Sequence, residues 1–443
     1  MIYDIIFIGA GFSNLAASNQ LYDLDFSNFL ILEKGHQFKD RNCRGESTFS
    51  CKQCAVCNTT EGVGGANALH GNKLCYFPAS KHIAEDFSLQ DIDKSLNYLS
   101  VLLKHYFDND FNLLKDTTKC QTGYSKKYYF SDVYFQNDFA KIVKMLTCRI
   151  EDKIIEKQNV CSIIKHDDFY SIETEAGYLF KTKHIVFGTG RTSYNTLPNL
   201  LKPLGAKFSP QAQDIGIRIE TDCDYFTETY RYQPDPKIKF DFGILGSSRT
   251  FCAHNKGKVV PVRFGKSFFA DGAFSSEPTA KNNIAIMTRV RKPLSNKVVE
   301  CWMQKINKLS SNTLLLGNIV LDDNFIANFK RLIPSFPTKE HEDIMIKTLN
   351  HLLYGKDAII KKGATIAVYA PAIDLQWLKP QLKKDFSLHN DDNIYVIGDA
   401  AGKSRGFIQA LFSGSCWANT FLDSISLRES SLYSVELVEL EKS

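Results

Sequence analysis

The chain has 443 residues, 44% of them hydrophobic, with a formal net charge of +5. That is enough apolar material for two or three domains, and too mild a charge, without any long basic tract, to point to nucleic acid. Twelve cysteines beside an early first strand, with no apolar run near the ~18 residues of a membrane span, lead us to expect a cytoplasmic protein with thiols or metal ligands instead of a disulfide frame.

Residues 4–8 form a nearly all-apolar run, as a strand buried on both faces should. Gly9-Ala10-Gly11-Phe12-Ser13-Asn14 follows, then an amphipathic helix over 15–24 and a second parallel strand over 29–32. This βαβ unit can take a pyrophosphate at its first turn. Gly9 permits the turn, Gly11 lets the backbone approach a phosphate, and Phe12 and Ser13 open the helix whose positive end faces it. Glu33, followed by Lys34, lies 22 residues after Gly11, where a carboxylate accepts hydrogen bonds from a ribose 2′-OH. Asn14 stands where a third glycine would allow close helix–strand packing.

Cys43, Cys51, Cys54 and Cys57 follow with the spacing C-x7-C-x2-C-x2-C. Three cysteines at this spacing can face one metal centre, with Cys43 or Cys75 completing it. An iron-sulfur cluster, zinc and free thiols in a loop all stay open. Gly62, Gly64, Gly65 and the small residues after them suit backbone laid against a flat ligand or phosphate, or a flexible loop. Helical patterns run over 79–107 and 139–146. Short strands over 153–156, 162–165, 170–174 and 179–182 read as a β-meander. A separate strand over 184–187 then ends in Gly188-Thr189-Gly190, which returns backbone to the dinucleotide.

These motifs resemble the flavoproteins of the glutathione reductase superfamily. Cys51 to Cys57 before Gly62-Val63-Gly64-Gly65-Ala66, then Asp214-Ile215-Gly216-Ile217-Arg218-Ile219-Glu220 and Arg249-Thr250-Phe251-Cys252, resemble a family of bacterial FAD-dependent dehydrogenases over nearly the whole chain. The glycine run departs from that family at Ala68 to Asn72. The resemblance implies a Rossmann-like α/β FAD-binding domain with a parallel sheet and β-meander, plus an inserted α+β cap. We place the first part of the FAD domain at 1–195, the cap at 196–362 and the C-terminal part at 363–443. No second glycine turn occurs between 194 and 363, so the chain resembles the branch that lacks an NAD(P)H domain. Arg218, Arg249, Cys252 and His254 are the cap's candidate catalytic groups, since Arg clamps carboxylates and His moves protons near neutral pH; each also has a purely structural reading.

The strand ending in Gly398-Asp399 resembles the motif whose aspartate binds the ribityl chain of FAD, and Gly406 and Phe407 open the helix expected over 407–422 beside the flavin. Together with the N-terminal turn this makes the expected cofactor FAD and not bound NAD. Two lookalikes fail here. Gly398 to Ser404 has only three residues between its glycines where a phosphate-binding loop needs four. Gly402-Lys403-Ser404-Arg405-Gly406 fits a nucleophile elbow, yet the last histidine, His389, lies upstream. The tail from 428 reads as a surface helix or frayed end.

The expected function is an FAD-dependent oxidoreductase that moves a hydride between flavin N5 and a small organic substrate, including reduction of an activated C=C bond. The donor would be transient NAD(P)H, a redox protein or the cysteine cluster. A flavin monooxygenase, a flavoenzyme acting on RNA and a non-catalytic redox sensor are the alternatives.

Overall fold

The computed structural model describes every residue except 67–72, 78–80, 105–118, 122–123, 128–130, 134–135, 232–235, 275–276, 357, 375–377 and 441–443. The run 67–72, inside the small-residue stretch read above as lying against a ligand, falls outside the described residues.

Strand Tyr3–Ile8 sits inside an eight-stranded sheet, flanked on either side by Phe29–Leu32 and Leu179–Phe187, both parallel to it. Ile154–Ile155 continues the parallel order beyond Phe29–Leu32, and Asp391–Val396 beyond Leu179–Phe187; Ser387–Leu388 runs antiparallel at that edge. Ile5, Ile6 and Phe7 are wholly buried, as an apolar run covered on both faces requires. Phe7 meets Phe29 and Trp417 edge-on, at ring separations of 5.8 and 5.6 Å, which ties the sheet to the last helix.

The β-meander forms from Val160–Lys165, Tyr170–Thr174 and the start of Leu179–Phe187. The strands expected separately at 179–182 and 184–187 are one strand. Its first part pairs antiparallel in the meander and its last part parallel with Tyr3–Ile8. Lys183, between them, is not a turn former, so extended backbone simply continues.

The second sheet is also eight-stranded, in the order Leu315–Val320, Thr365–Asp374, Asp214–Asp222, Lys281–Val290, Gly246–His254, Lys237–Asp241, Tyr124–Lys127 and Lys119–Gln121, all antiparallel. On one face Ile215, Ile217, Ile219, Ile284 and Ile286 share a core with helices Asn296–Leu309 and Lys339–Tyr354. The residues between them turn to the other face, by the period of two of a strand. Sheet membership differs from the division at 195 and 362. Tyr124–Lys127, with Lys119–Gln121 beyond it, adds to the edge that Lys237–Asp241 offers, since an open edge carries unpaired backbone groups. Thr365–Asp374 is buried along nearly its whole length, which suits an interior position.

Helix Leu89–Leu103 begins at Ser88, whose hydroxyl accepts from the Asp91 amide. Gln136–Thr147 is the other helix expected in this part. The last helix is continuous over Phe407–Leu440, taking up both the helix expected at 407–422 and the tail. Among the described residues no helix is long and apolar enough to cross a membrane.

Candidate functional site

A cavity of about 1070 Å3 opens between the two sheets, just above the roughly 300–1,000 Å3 usual for small-molecule pockets. The carboxyl ends of the parallel strands form one wall, where open α/β sheets bind ligands. Gly9 and Gly11 come from the end of Tyr3–Ile8, Glu33 and Lys34 from the end of Phe29–Leu32, and Gly188 and Gly190 from the end of Leu179–Phe187. Gly64 and Gly65 close over them; the Gly64 amide donates to Ala10 O at 2.9 Å. This wall is therefore backbone over most of its extent.

Helix Phe12–Asp23 begins at Gly11 without a side-chain cap, and Phe12 and Ser13 line the cavity. Uncapped first-turn amides carry the positive end of the helix dipole, so the chain's own backbone supplies an anion site. Glu33 is 5% exposed. Its Oε2 accepts from Ala10 N at 2.6 Å, and its Oε1 from Gly35 N and Gly62 N at 2.7 and 2.9 Å. Three backbone donors leave about one of a carboxylate's four acceptor positions for a ligand hydroxyl. Lys34 pairs with Glu61 at 3.0 Å on the cavity rim.

Not every residue of the expected cofactor set is on that wall. Asn14 is buried behind it, its side-chain amide donating to Ile8 O at 3.0 Å and Gly9 O at 2.7 Å. Phe407 is in the core, edge-on to Phe12 and Phe139. The Gly398 amide donates to Ser413 Oγ at 2.9 Å. Asp399 and Gly406 do line the cavity.

Asp399 accepts from Arg191 Nε at 2.7 Å, and from there a chain of charges crosses to the second sheet. Arg191 also holds Asp374 at 2.8 Å, and Arg249 and Arg405 converge on the same carboxylate. Arg249 donates from Nε to Asp214 at 2.9 Å, and Asp214 meets Arg289. Burial alone would raise the pKa of Asp374, but Arg405, Arg191 and Arg249 outweigh it and hold the carboxyl well below the usual range. Arg405 shifts the other way, lowered by burial and then by repulsion from Arg191.

Arg218, Arg249, Cys252 and His254 all lie on the cavity wall formed by the second sheet. Arg218 is 1% exposed; it donates to Cys252 O at 2.9 Å and Asn283 Oδ1 at 2.6 Å, and pairs with Asp271 at 3.2 Å. Cys252 has φ +51° in an irregularity between Phe251 and His254, which turns its carbonyl towards both basic groups. His254 Nδ1 lies 2.8 Å from that carbonyl. A carbonyl only accepts, so a neutral His254 carries its proton on Nδ1 and Nε2 is its basic nitrogen. A Cβ at Gly272 would lie 2.2 Å from His254 Nδ1 and 2.5 Å from Arg218 Nη1. Glycine is what lets the pair pack there.

The sequence reading missed Arg191, Asp214, Asp374, Arg289 and Arg405 as members of the site. Arg191 directly follows the Gly-Thr-Gly turn, and Arg405 sits in the stretch that mimics a nucleophile elbow. Asp374 closes an apolar strand and has no local signal at all.

Among the described residues no group of three His, Cys, Asp or Glu side chains is placed to hold a metal ion. Cys43, Cys51, Cys54 and Cys57 are free thiols that differ in exposure, from buried Cys57 to exposed Cys54. The loop is pinned by other means: Arg263 donates to Cys54 O and Ala55 O, and Glu61 accepts from Cys57 N at 2.7 Å. These bonds use the backbone of the cysteine run, and nothing in the arrangement of the described residues supports the expected iron-sulfur or zinc site. Burial pushes the Cys51 thiol up, away from the thiolate a redox sensor uses.

No protein-family model matches the sequence, and no curated protein is similar to it; the glutathione reductase-like resemblance therefore has no family match behind it. Solved structures are matched at low identity and at TM-scores below 0.5. Tetracycline destructase Tet(51) is 12% identical, with 96% of this chain and 83% of that one covered at a TM-score of 0.40. CtdE in complex with FAD is 10% identical, with 94% and 83% covered at 0.37. The 2,6-dihydroxypyridine-3-hydroxylase from Arthrobacter nicotinovorans is 10% identical, with 96% and 84% covered at 0.39.

Proposed function

We propose that the chain is an FAD-dependent oxidoreductase acting on a small organic substrate. The observation that carries this is the backbone wall at the carboxyl ends of the parallel strands, where Gly9, Gly11, Glu33, Gly188 and Asp399 border one cavity. The uncapped amides at Phe12 and Ser13 would hold the pyrophosphate, and the remaining acceptor position of Glu33 a ribose hydroxyl. Asp399, oriented by Arg191, would hold the ribityl hydroxyls. FAD, when bound, supplies the hydride or electron-transfer chemistry. The chain's own part is to orient the substrate through Arg218 and Arg249, to move a proton at His254 Nε2, and to exclude water. NAD(P)H or a redox protein would deliver electrons transiently.

The second reading is a flavin-dependent monooxygenase. It needs the same wall, and it is favoured by the apolar patch of Phe251, Ala285, Met287 and Ala372 facing the cavity, since oxygen insertion requires water to be kept out.

An anaerobic absorbance titration of the purified, FAD-reconstituted protein tests both. Rapid bleaching by NADH or NADPH without oxygen or substrate supports the reductase reading. NADPH consumption that needs oxygen and a hydroxylated product supports the monooxygenase. Failure to retain any FAD overturns both.

A further inference from the structure

We propose that Lys379 and Ser404 form a subsite for one carboxylate group of a small-molecule substrate, beside the turn that carries Asp399. This rests on the flavoprotein reading and adds the charge of the molecule that it would act on.

Both residues line the cavity. Lys379 opens the short strand Lys379–Pro380, which pairs with Phe208–Ser209. Its stem lies across Gly402, where a Cβ would come within 3.0, 3.1 and 3.4 Å of the lysine Cγ, Cδ and Cε. Gly402 has φ +75°, and its amide closes the turn by donating to Asp399 O at 3.0 Å. Glycine there leaves the lysine stem its place along the turn. Lys379 is half-buried, and burial together with repulsion from Lys403 lowers its pKa.

Among the described residues nothing pairs with the Lys379 ammonium. Its neighbours are already matched: Lys403 holds Asp86, Arg405 holds Asp374, and Glu85 lies 3.2 Å from His82. Ser404 is 1% exposed, and among the described residues its hydroxyl has no hydrogen-bond partner. A buried hydroxyl and a half-buried ammonium each cost free energy when left unmatched. An ammonium only donates, and a hydroxyl donates or accepts, so the group that satisfies both is an acceptor. One positive charge with two donors matches one negative charge on two oxygens, which is a carboxylate. The last helix starts at Phe407, and its positive end adds to the field at this turn.

The test uses the full-length, FAD-loaded protein with benzoate and its neutral match, benzamide, read by equilibrium dialysis. Benzoate is expected to bind saturably and about tenfold tighter than benzamide. Lys379→Gln is expected to remove that preference, and Ser404→Ala to weaken benzoate about fivefold, with benzamide binding and FAD content unchanged. Ser404→Ala should not lower the Tm of the ligand-free protein, since its hydroxyl has no bond to lose there. Acetylation by sulfo-NHS-acetate, followed by peptide mass spectrometry, gives a second readout. Lys379 should react faster than ion-paired Lys403, and benzoate should slow the reaction at Lys379 alone. Equal binding of acid and amide, binding of neither, no protection of Lys379, or a lowered Tm for Ser404→Ala overturns the proposal. Loss of FAD in Lys379→Gln with the acid preference intact overturns it too, because the ammonium would then serve the cofactor. Dialysis also reads on protein without flavin, so failure of the subsite and failure to hold FAD are distinguished.

Discussion

Asn14 and Gly188 occupy one another's space. A Cβ on Gly188 would lie 2.4 Å from both the amide carbon and the amide oxygen of Asn14, and that amide ties off Ile8 O and Gly9 O at the end of the first strand. The missing third glycine of the turn has in effect moved to the neighbouring strand. Gly188→Ala should destabilise the protein by about 1–3 kcal/mol through overpacking. Adding Asn14→Gly to it should recover part of that loss. Urea melts of the two single variants and the double variant form the cycle that checks it; strictly additive effects would show that the two sites are independent.

Glu33 holds three backbone amides as well as facing the cavity. Glu33→Gln replaces an acceptor-only group with one that presents two N–H donors to those amides. We expect a stability loss of about 1–3 kcal/mol and FAD binding weaker by about tenfold or more. Thermal melts and fluorescence titration with FAD measure the two effects separately.

Gly272→Ala places a methyl against both His254 and Arg218. The backbone wall that would hold FAD is untouched, so FAD content should be unchanged. Turnover should fall about a hundredfold, in line with displacement of positioned groups. Single-turnover kinetics of the flavin-loaded variant would show it; unchanged turnover would remove Arg218 and His254 from the chemistry.

Asp374→Asn leaves Arg191, Arg249 and Arg405 around a neutral amide. Removing one partner from a buried charge network typically costs about 3–5 kcal/mol. The carboxyl's pKa lies below its unfolded value, so the stability it contributes is present above about pH 4 and is lost as pH falls below that. Wild type should therefore show an acid-induced loss below about pH 4 that is smaller in the variant, by urea denaturation across that range.

His341 is fully buried; its Nδ1 sits 2.9 Å from Thr338 Oγ1, and among the described residues its Nε2 has no hydrogen-bond partner. Burial lowers its pKa from 6.5 to about 4. The unfolded chain then binds the proton more readily than the folded one, so stability is full above pH 6.5 and falls as pH drops towards 4, by up to about 3 kcal/mol. His341→Gln should flatten that slope in urea melts between pH 7 and 4.5.

The sequence made the first sheet legible because its signals are local. The apolar run at 4–8, the glycine turn and Glu33 all lie within one βαβ unit, and the meander shows as short strands between polar turns. The second sheet was legible only as a mixture of strands and helices. Its order depends on pairings between segments far apart in the chain, such as Tyr124–Lys127 with Lys237–Asp241, and no local pattern encodes them. The candidate site divides the same way. Glu33 and Asp399 stand in recognisable turns, whereas Asp374 matters because three arginines from distant segments reach it. The cysteine spacing fixes only how close ligands lie in sequence, and it carries no sign that Arg263 and Glu61 hold the backbone of that loop.

The run from Asp399 through Arg191, Asp374, Arg249 and Asp214 to Arg289 stitches the two sheets together along the cavity wall. To swing the sheets apart would strip guanidinium from carboxylate at Asp374 in a place that water hardly reaches, an opening far dearer than thermal energy provides. The two sheets therefore stay clasped at Asp374 whichever ligand the cavity takes.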